Sequence, residues 1–196
     1  MIPATHIFFD IETLPTANPD VIADIEASVR PPATMKKAET IARWEAEERP
    51  AAVAEAVAKT ALDGGYGLVA SIAWAIGGGP VVAATSAGQH GYDEAVERAL
   101  IAGLFGELDR LREEFKVTPT LVGHCISSFD ILFLWRRALV LGITPPHWWP
   151  VHAAPWKTDD VQDRAQCLTS TGSSTRSTIT GLVGPASYPR SSTVSR

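Results

Sequence analysis

The chain has 196 residues, 45% hydrophobic and 20% charged, a globular composition that excludes a wholly disordered protein. Lys and Arg number 17 against 22 Asp and Glu, so the net charge is -5 and no general basic field advertises nucleic acid. An enzyme gripping a nucleic-acid end in one local groove stays compatible with that balance, because metal-binding carboxylates are themselves acidic.

Taken in chain order, the N-terminus lacks a basic segment and reaches an acid at Asp10, which is not the layout of a signal peptide. Residues 6–11 (HIFFDI) predict a strand. After Leu14-Pro15 the pattern turns irregular. About residues 20–63, rich in Ala and Glu with Ile41 and Trp44 among charges, predict a solvated helical insertion broken at Pro31-Pro32 and Pro50. Residues 68–76 and 81–85 predict a strand pair around Gly77-Gly78-Gly79-Pro80. That turn also interrupts the longest apolar run, so no membrane span is expected. A cytoplasmic protein is the default. Residues 93–115 place Val96, Leu100, Leu104, Leu108 and Leu111 near a 3.6-residue period and predict an amphipathic helix.

Residues 120–123 (TLVG) predict a short buried strand, residues 130–141 a helix ended by Gly142, and the stretch near 156–163 a last strand. Strand, hairpin, helix, strand, helix is an α/β layer pattern, placing one domain over residues 1–163. Residues 164–196 contain 14 Ser/Thr, four Arg and no acid, with no helical or alternating period. They predict an unfolded tail, and the abrupt change at Arg164 is what a shifted reading frame or a decayed gene produces. The two cysteines, Cys125 and Cys167, are too few for a disulfide framework or a cysteine-based zinc site.

The chemistry concentrates on three acids. Asp10 and Glu12 stand two apart in a strand, so both carboxylates project from one face. Like charges side by side are costly without a cation, and hard oxygen ligands suit Mg²⁺ or Mn²⁺. The ordinary alternative is a strand end facing water. Asp130 follows a strand and a short polar loop and opens a helix, where a carboxylate is also a routine cap or first-turn acid. If that loop aims Asp130 at the Asp10/Glu12 pair, three acids form a two-metal site for phosphoryl transfer.

FFDIET (residues 8–13) resembles the first motif of the DEDD-type 3′–5′ exonucleases, and VGHCISSFDILFLWRRALVLGI (residues 122–143) resembles their second. The match is to the proofreading, DNA-polymerase-B-like group, and it spans about residues 5–163. The resemblance implies a ribonuclease-H-like mixed sheet with flanking helices, two Mg²⁺ or Mn²⁺ ions, and hydrolysis at the 3′ end of single-stranded DNA, RNA not being excluded. It also implies a DNA polymerase or a replication or repair complex as partner. By the same resemblance, Asp10 bridges both metals, Glu12 completes the first metal site, and Asp130 holds the second. Thr13 and Leu14 lie against the terminal nucleotide, and His124, Ser128 and Phe129 belong to the substrate-binding side of the second motif.

Two departures stand out. Cys125 occupies a place where the family often has Asn, and a thiol cannot donate and accept like an amide. The family's third motif, a Tyr or His followed by Asp, has no counterpart, since Asp163 is the last acid in the chain. As written, the chain therefore reads as a weak or inactive nuclease, with a non-catalytic nucleic-acid-binding or vestigial nuclease domain as the alternative. A haloacid-dehalogenase-type phosphohydrolase is a remoter alternative. It fails because the second acid of FFDIETL is Glu12 and because it leaves GHCISSFD unexplained.

The remaining residues of interest have plain readings. His124 beside Cys125 reads as a loop pair and not a nucleophile with its base, because adjacent side chains rarely face each other. His147 and His152, around Trp148-Trp149-Pro150, read as a packed connecting loop. Trp135 with Arg136-Arg137 could touch a phosphate backbone, though a buried Trp with two solvated arginines is the simpler reading.

Overall fold

The computed structural model describes residues 3–88, 91–152 and 161–163. Its centre is β1 (His6–Leu14), whose apolar residues alternate with acids. Ile7, Phe9 and Ile11 are buried, while Asp10 and Glu12 are exposed. A period of two divides the strand into a core face and an outer face.

β1 pairs antiparallel with β2 (Leu68–Ile76), which pairs antiparallel with β3 (Val82–Thr85). On its other side β1 runs parallel to β6 (Thr120–Gly123), and β6 runs parallel to β7 (Val161–Asp163). A mixed five-stranded sheet of order β3-β2-β1-β6-β7 results, with a two-stranded ladder of β4 (Ala87–Gly88) and β5 (Gly91–Tyr92) beside it. The helices α4 (Glu94–Phe115) and α5 (Asp130–Val140) cover the core face. Ile101, Leu104 and Leu108 of α4 and Ile131 and Leu134 of α5 meet Ile7, Phe9, Ile11 and Ile72 in one cluster. Trp149 seals it: its ring lies 5.0 Å from Phe105 and 6.1 Å from Phe9, and its Nε1–H donates to Ile131 O at 3.0 Å.

The expected α/β layering is present, with several differences in detail. β1 runs to Leu14, beyond residue 11. The insertion holds three helices, α1 (Pro19–Ser28), α2 (Ala38–Glu47) and α3 (Arg49–Lys59), followed by a 3₁₀ turn, Thr60–Leu62. Only Trp44 is buried within the three helices, in keeping with a solvated insertion. Pro31-Pro32 separates α1 from α2 as expected. Pro50 marks the second break: α2 ends at Glu47 and α3 opens at Arg49 with Pro50 in its first turn, where its missing N–H has no intrahelical partner to lose.

The buried stripe of α4 is also shifted: it runs through Glu97, Ile101, Leu104, Leu108 and Leu111, while Val96 is 44% exposed. Asp93 caps the helix, accepting from the Ala95 and Val96 N–H groups at 2.8 and 3.3 Å. Of the strand expected near residues 156–163, β7 is described and residues 153–160 are not. The tail at 164–196 likewise lies outside the described residues. No described helix is long and apolar enough to cross a membrane.

Candidate active site

Asp10 and Glu12 stand on the outer face of β1, opposite Ala73 and Ser71 of β2. Just past Glu12 the β1–β2 register slips, because Thr13 pairs with Val69 and leaves Ala70 over; such a bulge bends the ladder and re-aims the residues beside it. Neither carboxylate makes a hydrogen bond or ion pair with a described residue. Two unpaired like charges therefore share one exposed face.

Asp130 reaches the same strand from far along the chain. β6 runs beside β1 only as far as Val122, and Gly123 then brings the backbone against Phe9. A Cβ on Gly123 would stand 2.9 Å from Phe9 O, so only glycine permits this approach. The loop that follows holds Cys125 in the left-handed region at φ 54°, and the Cys125 carbonyl accepts from the Ser128 and Phe129 N–H groups at 3.1 and 3.0 Å. That turn starts α5. Asp130, 3% exposed, then places its Oδ1 3.1 Å from the Ile11 N–H that donates to it. Ile11 lies between Asp10 and Glu12, so the third acid meets the edge of β1 at the level of the other two. A buried carboxylate requires such a partner.

The substrate-side candidates divide into free and committed groups. His124 is exposed and lines a groove of about 550 Å³ together with Asp10, Phe8, Ala73 and Ala75. Leu14 is half-buried and pairs with Leu68. Thr13 and Ser128 spend their hydroxyls inside the fold: Thr13 Oγ1 donates to Ala61 O at 2.8 Å, and Ser128 Oγ donates to Cys125 O at 3.0 Å. Phe129 packs against Phe133 with ring centroids 5.5 Å apart.

The donor set fits a hard divalent cation in chemistry, since Asp10 and Glu12 offer uncompensated oxygens on one face. Asp130 is a neighbour of that pair; among the described residues no three His, Cys, Asp or Glu side chains gather at metal-ligand spacing. His147 and His152 are exposed loop residues, and the adjacent Trp148 donates from Nε1 to Asp109 Oδ1 at 2.8 Å, as a packed connection requires.

Sequence reasoning missed a second polar centre. Arg137, expected to be solvated, is 5% exposed and grips Glu97, a fully buried acid of α4. Arg137 Nε donates to Glu97 Oε1 at 2.9 Å and Nη2 to Oε2 at 2.8 Å, a two-pronged pairing. The same carboxylate accepts from Val69 N–H at 2.6 Å and from the Tyr92 hydroxyl at 2.5 Å. Burial, and then the hydrogen bond to Glu97, push the Tyr92 phenol above its ordinary range. Burial alone would lower the Arg137 pKa, but the paired carboxylate raises it above its usual value. A signal was present: Glu97 lies on the 3.6-residue stripe with Ile101 and Leu104, so a core position was legible for it. By contrast, Arg136 is half-exposed and pairs with Asp63 at 3.2 Å.

No family model matches the chain, and no curated protein matches it.

Proposed function

We propose that this domain is a nuclease of the 3′–5′ exonuclease type, built on a ribonuclease-H-like fold and working on single-stranded DNA ends with Mg²⁺ or Mn²⁺. The observation that carries the reading is the hydrogen bond from the Ile11 N–H to Asp130, which brings the two motifs together across 119 residues. The mixed sheet with flanking helices supports it, as do the exposed Asp10 and Glu12 carboxylates on either side of Ile11 in β1.

Asp10 and Glu12 would hold one ion, with Asp10 shared to a second ion at Asp130. Bound ions would stabilise charge on the attacking and leaving oxygens of the scissile phosphodiester. The protein's own part is positional. β1 presents two carboxylates on one face, the Ile11 N–H fixes the orientation of the third, and the groove beside Asp10 and His124 leaves room for a strand end.

Weak activity is expected of this chain, because residues 164–196 contain no acid and so supply neither a fourth carboxylate nor the family's Tyr/His…Asp pair that would orient the attacking water. A missing general base alone costs about 10²–10⁴-fold. The test is digestion of a 3′-labelled single strand with Mg²⁺ and with Mn²⁺, using this chain, Asp10→Ala, and a version with a third-motif helix restored. Slow Mn²⁺-favoured digestion that disappears in Asp10→Ala, and rises in the restored version, is the expected result. Equal digestion by the chain and Asp10→Ala would sink the reading.

A further inference from the structure

The segment joining the helical insertion to β2, residues 60–67, touches both halves of the candidate site. Toward β1, Ala61 O accepts from Thr13 Oγ1 at 2.8 Å. Thr60 Oγ1 accepts from the Thr16 N–H at 2.8 Å while donating to Val57 O at 2.7 Å. Thr60 is 8% exposed, so its hydroxyl serves the interior.

Toward α5, Gly64 lies against the Phe133 carbonyl: a Cβ on Gly64 would stand 2.2 Å from Phe133 O. Gly67 repeats the device, its Cβ position being 2.5 Å from Thr60 O and 3.1 Å from the Phe133 ring. Both glycines serve close approach. Within the segment, Asp63 O accepts from the Tyr66 and Gly67 N–H groups at 3.0 and 2.7 Å and Asp63 Oδ1 from the Gly65 N–H at 2.9 Å, so the turn is internally tied.

Phe133 lies one helical turn beyond Asp130, whose carboxylate returns to β1 at Ile11. The contacts close a circuit from β1 through Asp130 and α5 to Gly64, then through Ala61 back to β1, with Thr60 holding Thr16 just past the strand's end. We propose that residues 60–67 are a brace that holds Asp130 against β1 and sets its spacing from Asp10 and Glu12. Thr60 and Gly64 are its positioning residues. The exposed Arg136–Asp63 pair adds little, as surface ion pairs do. The consequence for ions rests on the nuclease reading, whereas the placement of Asp130 does not. Mg²⁺ demands near-ideal octahedral geometry, so a slackened brace shifts binding toward the more tolerant Mn²⁺.

The experiment uses the full chain and follows amide hydrogen exchange at Ile11, with the buried Leu104 amide of α4 as internal reference. Gly64→Ala is expected to speed Ile11 exchange roughly tenfold and leave Leu104 unchanged, as local opening does. Thr60→Ala is expected to act in the same direction, and Thr60→Ser to restore the wild-type rate. The Thr60 pair decides the matter if Gly64→Ala fails to fold. Ile11 staying protected in the variants, or Ile11 and Leu104 speeding up together, would overturn the brace. Mn²⁺ binding by electron paramagnetic resonance, with Mg²⁺ as competitor, reads the ion arm; weaker Mg²⁺ competition in Gly64→Ala supports it. A wild-type chain that binds no Mn²⁺ overturns the ion arm and the nuclease reading together, while the Ile11 exchange rates still decide the brace.

Discussion

The molecule carries two acidic centres that solve the same electrostatic problem in opposite ways. Glu97 is fully buried and answered by Arg137, Tyr92 and the Val69 amide. Asp10 and Glu12 are exposed, adjacent on one face, and answered by no described side chain. Compensated charge ties α4, α5 and β2 into one body. Uncompensated charge waits for something from outside, and that asymmetry separates the centre that holds the fold from the centre that offers a site. Asp130 stands between the two, buried like Glu97 but placed beside the unpaired pair.

Changes at the two centres should therefore differ in kind, and the largest effect belongs to the buried one. Arg137→Met strands the Glu97 carboxylate without its cation and should destabilise the protein by about 3–5 kcal/mol in denaturant unfolding. A loss below 1 kcal/mol would mean that Glu97 takes up a proton or reaches water, and the contrast between centres would collapse.

Next in size, Asp130→Ala leaves the Ile11 N–H unanswered and should cost about 1–3 kcal/mol. Asp130→Asn keeps an acceptor oxygen and should cost clearly less, while still removing the charge that a cation would use. Similar stability for the two variants would show that the bond to Ile11 contributes little.

Tyr92→Phe should cost about 1.5–2 kcal/mol at neutral pH, because the lost hydroxyl bonds to the charged Glu97 and Arg137. Its sharper signature lies in alkali. The folded phenol is raised above its unfolded value of about 10, so the folded state keeps a proton that the unfolded state has lost. Stability from this group is complete below pH 10 and falls as pH rises toward the folded value. Wild type should lose stability above pH 10 more steeply than Tyr92→Phe in parallel melts; equal slopes would remove Tyr92 from the network's titration.

The smallest stability effect belongs to the exposed pair. Asp10→Ala and Glu12→Ala should each change unfolding free energy by no more than about 0.5 kcal/mol, as surface substitutions do. Their effect should appear instead in divalent-ion binding by calorimetry. A large stability loss with unchanged ion binding would reverse the roles assigned to the two centres.

Much of the architecture could be read from short-range pattern. The limits of β2 and β6 matched because β-branched and apolar runs there end at glycines or turns. The acids of β1 were legible because a period of two is a local property. What escaped depends on distant partners. Glu97 meets Arg137 40 residues later, and no window of sequence contains both. The hydroxyl partners of Thr13 and Ser128 were likewise out of reach, because they are backbone carbonyls whose positions exist only once the chain has folded.

The central position of β1 carries a cost in time. The strand leaves the ribosome before its partners, and the carboxylate that answers its Ile11 amide comes 119 residues later. At about 5–20 residues per second, that separation is roughly 6–24 s of synthesis. The antiparallel partner β2 arrives much earlier, so a nascent β1 is matched on one edge and open on the other. During that interval Phe9 and Ile11 lack the cover of α5, and an open apolar strand edge invites pairing with other chains. Soluble yield should therefore follow translation speed across residues 77–130: slowing it with rare codons should lower yield while the melting temperature of the recovered protein stays the same.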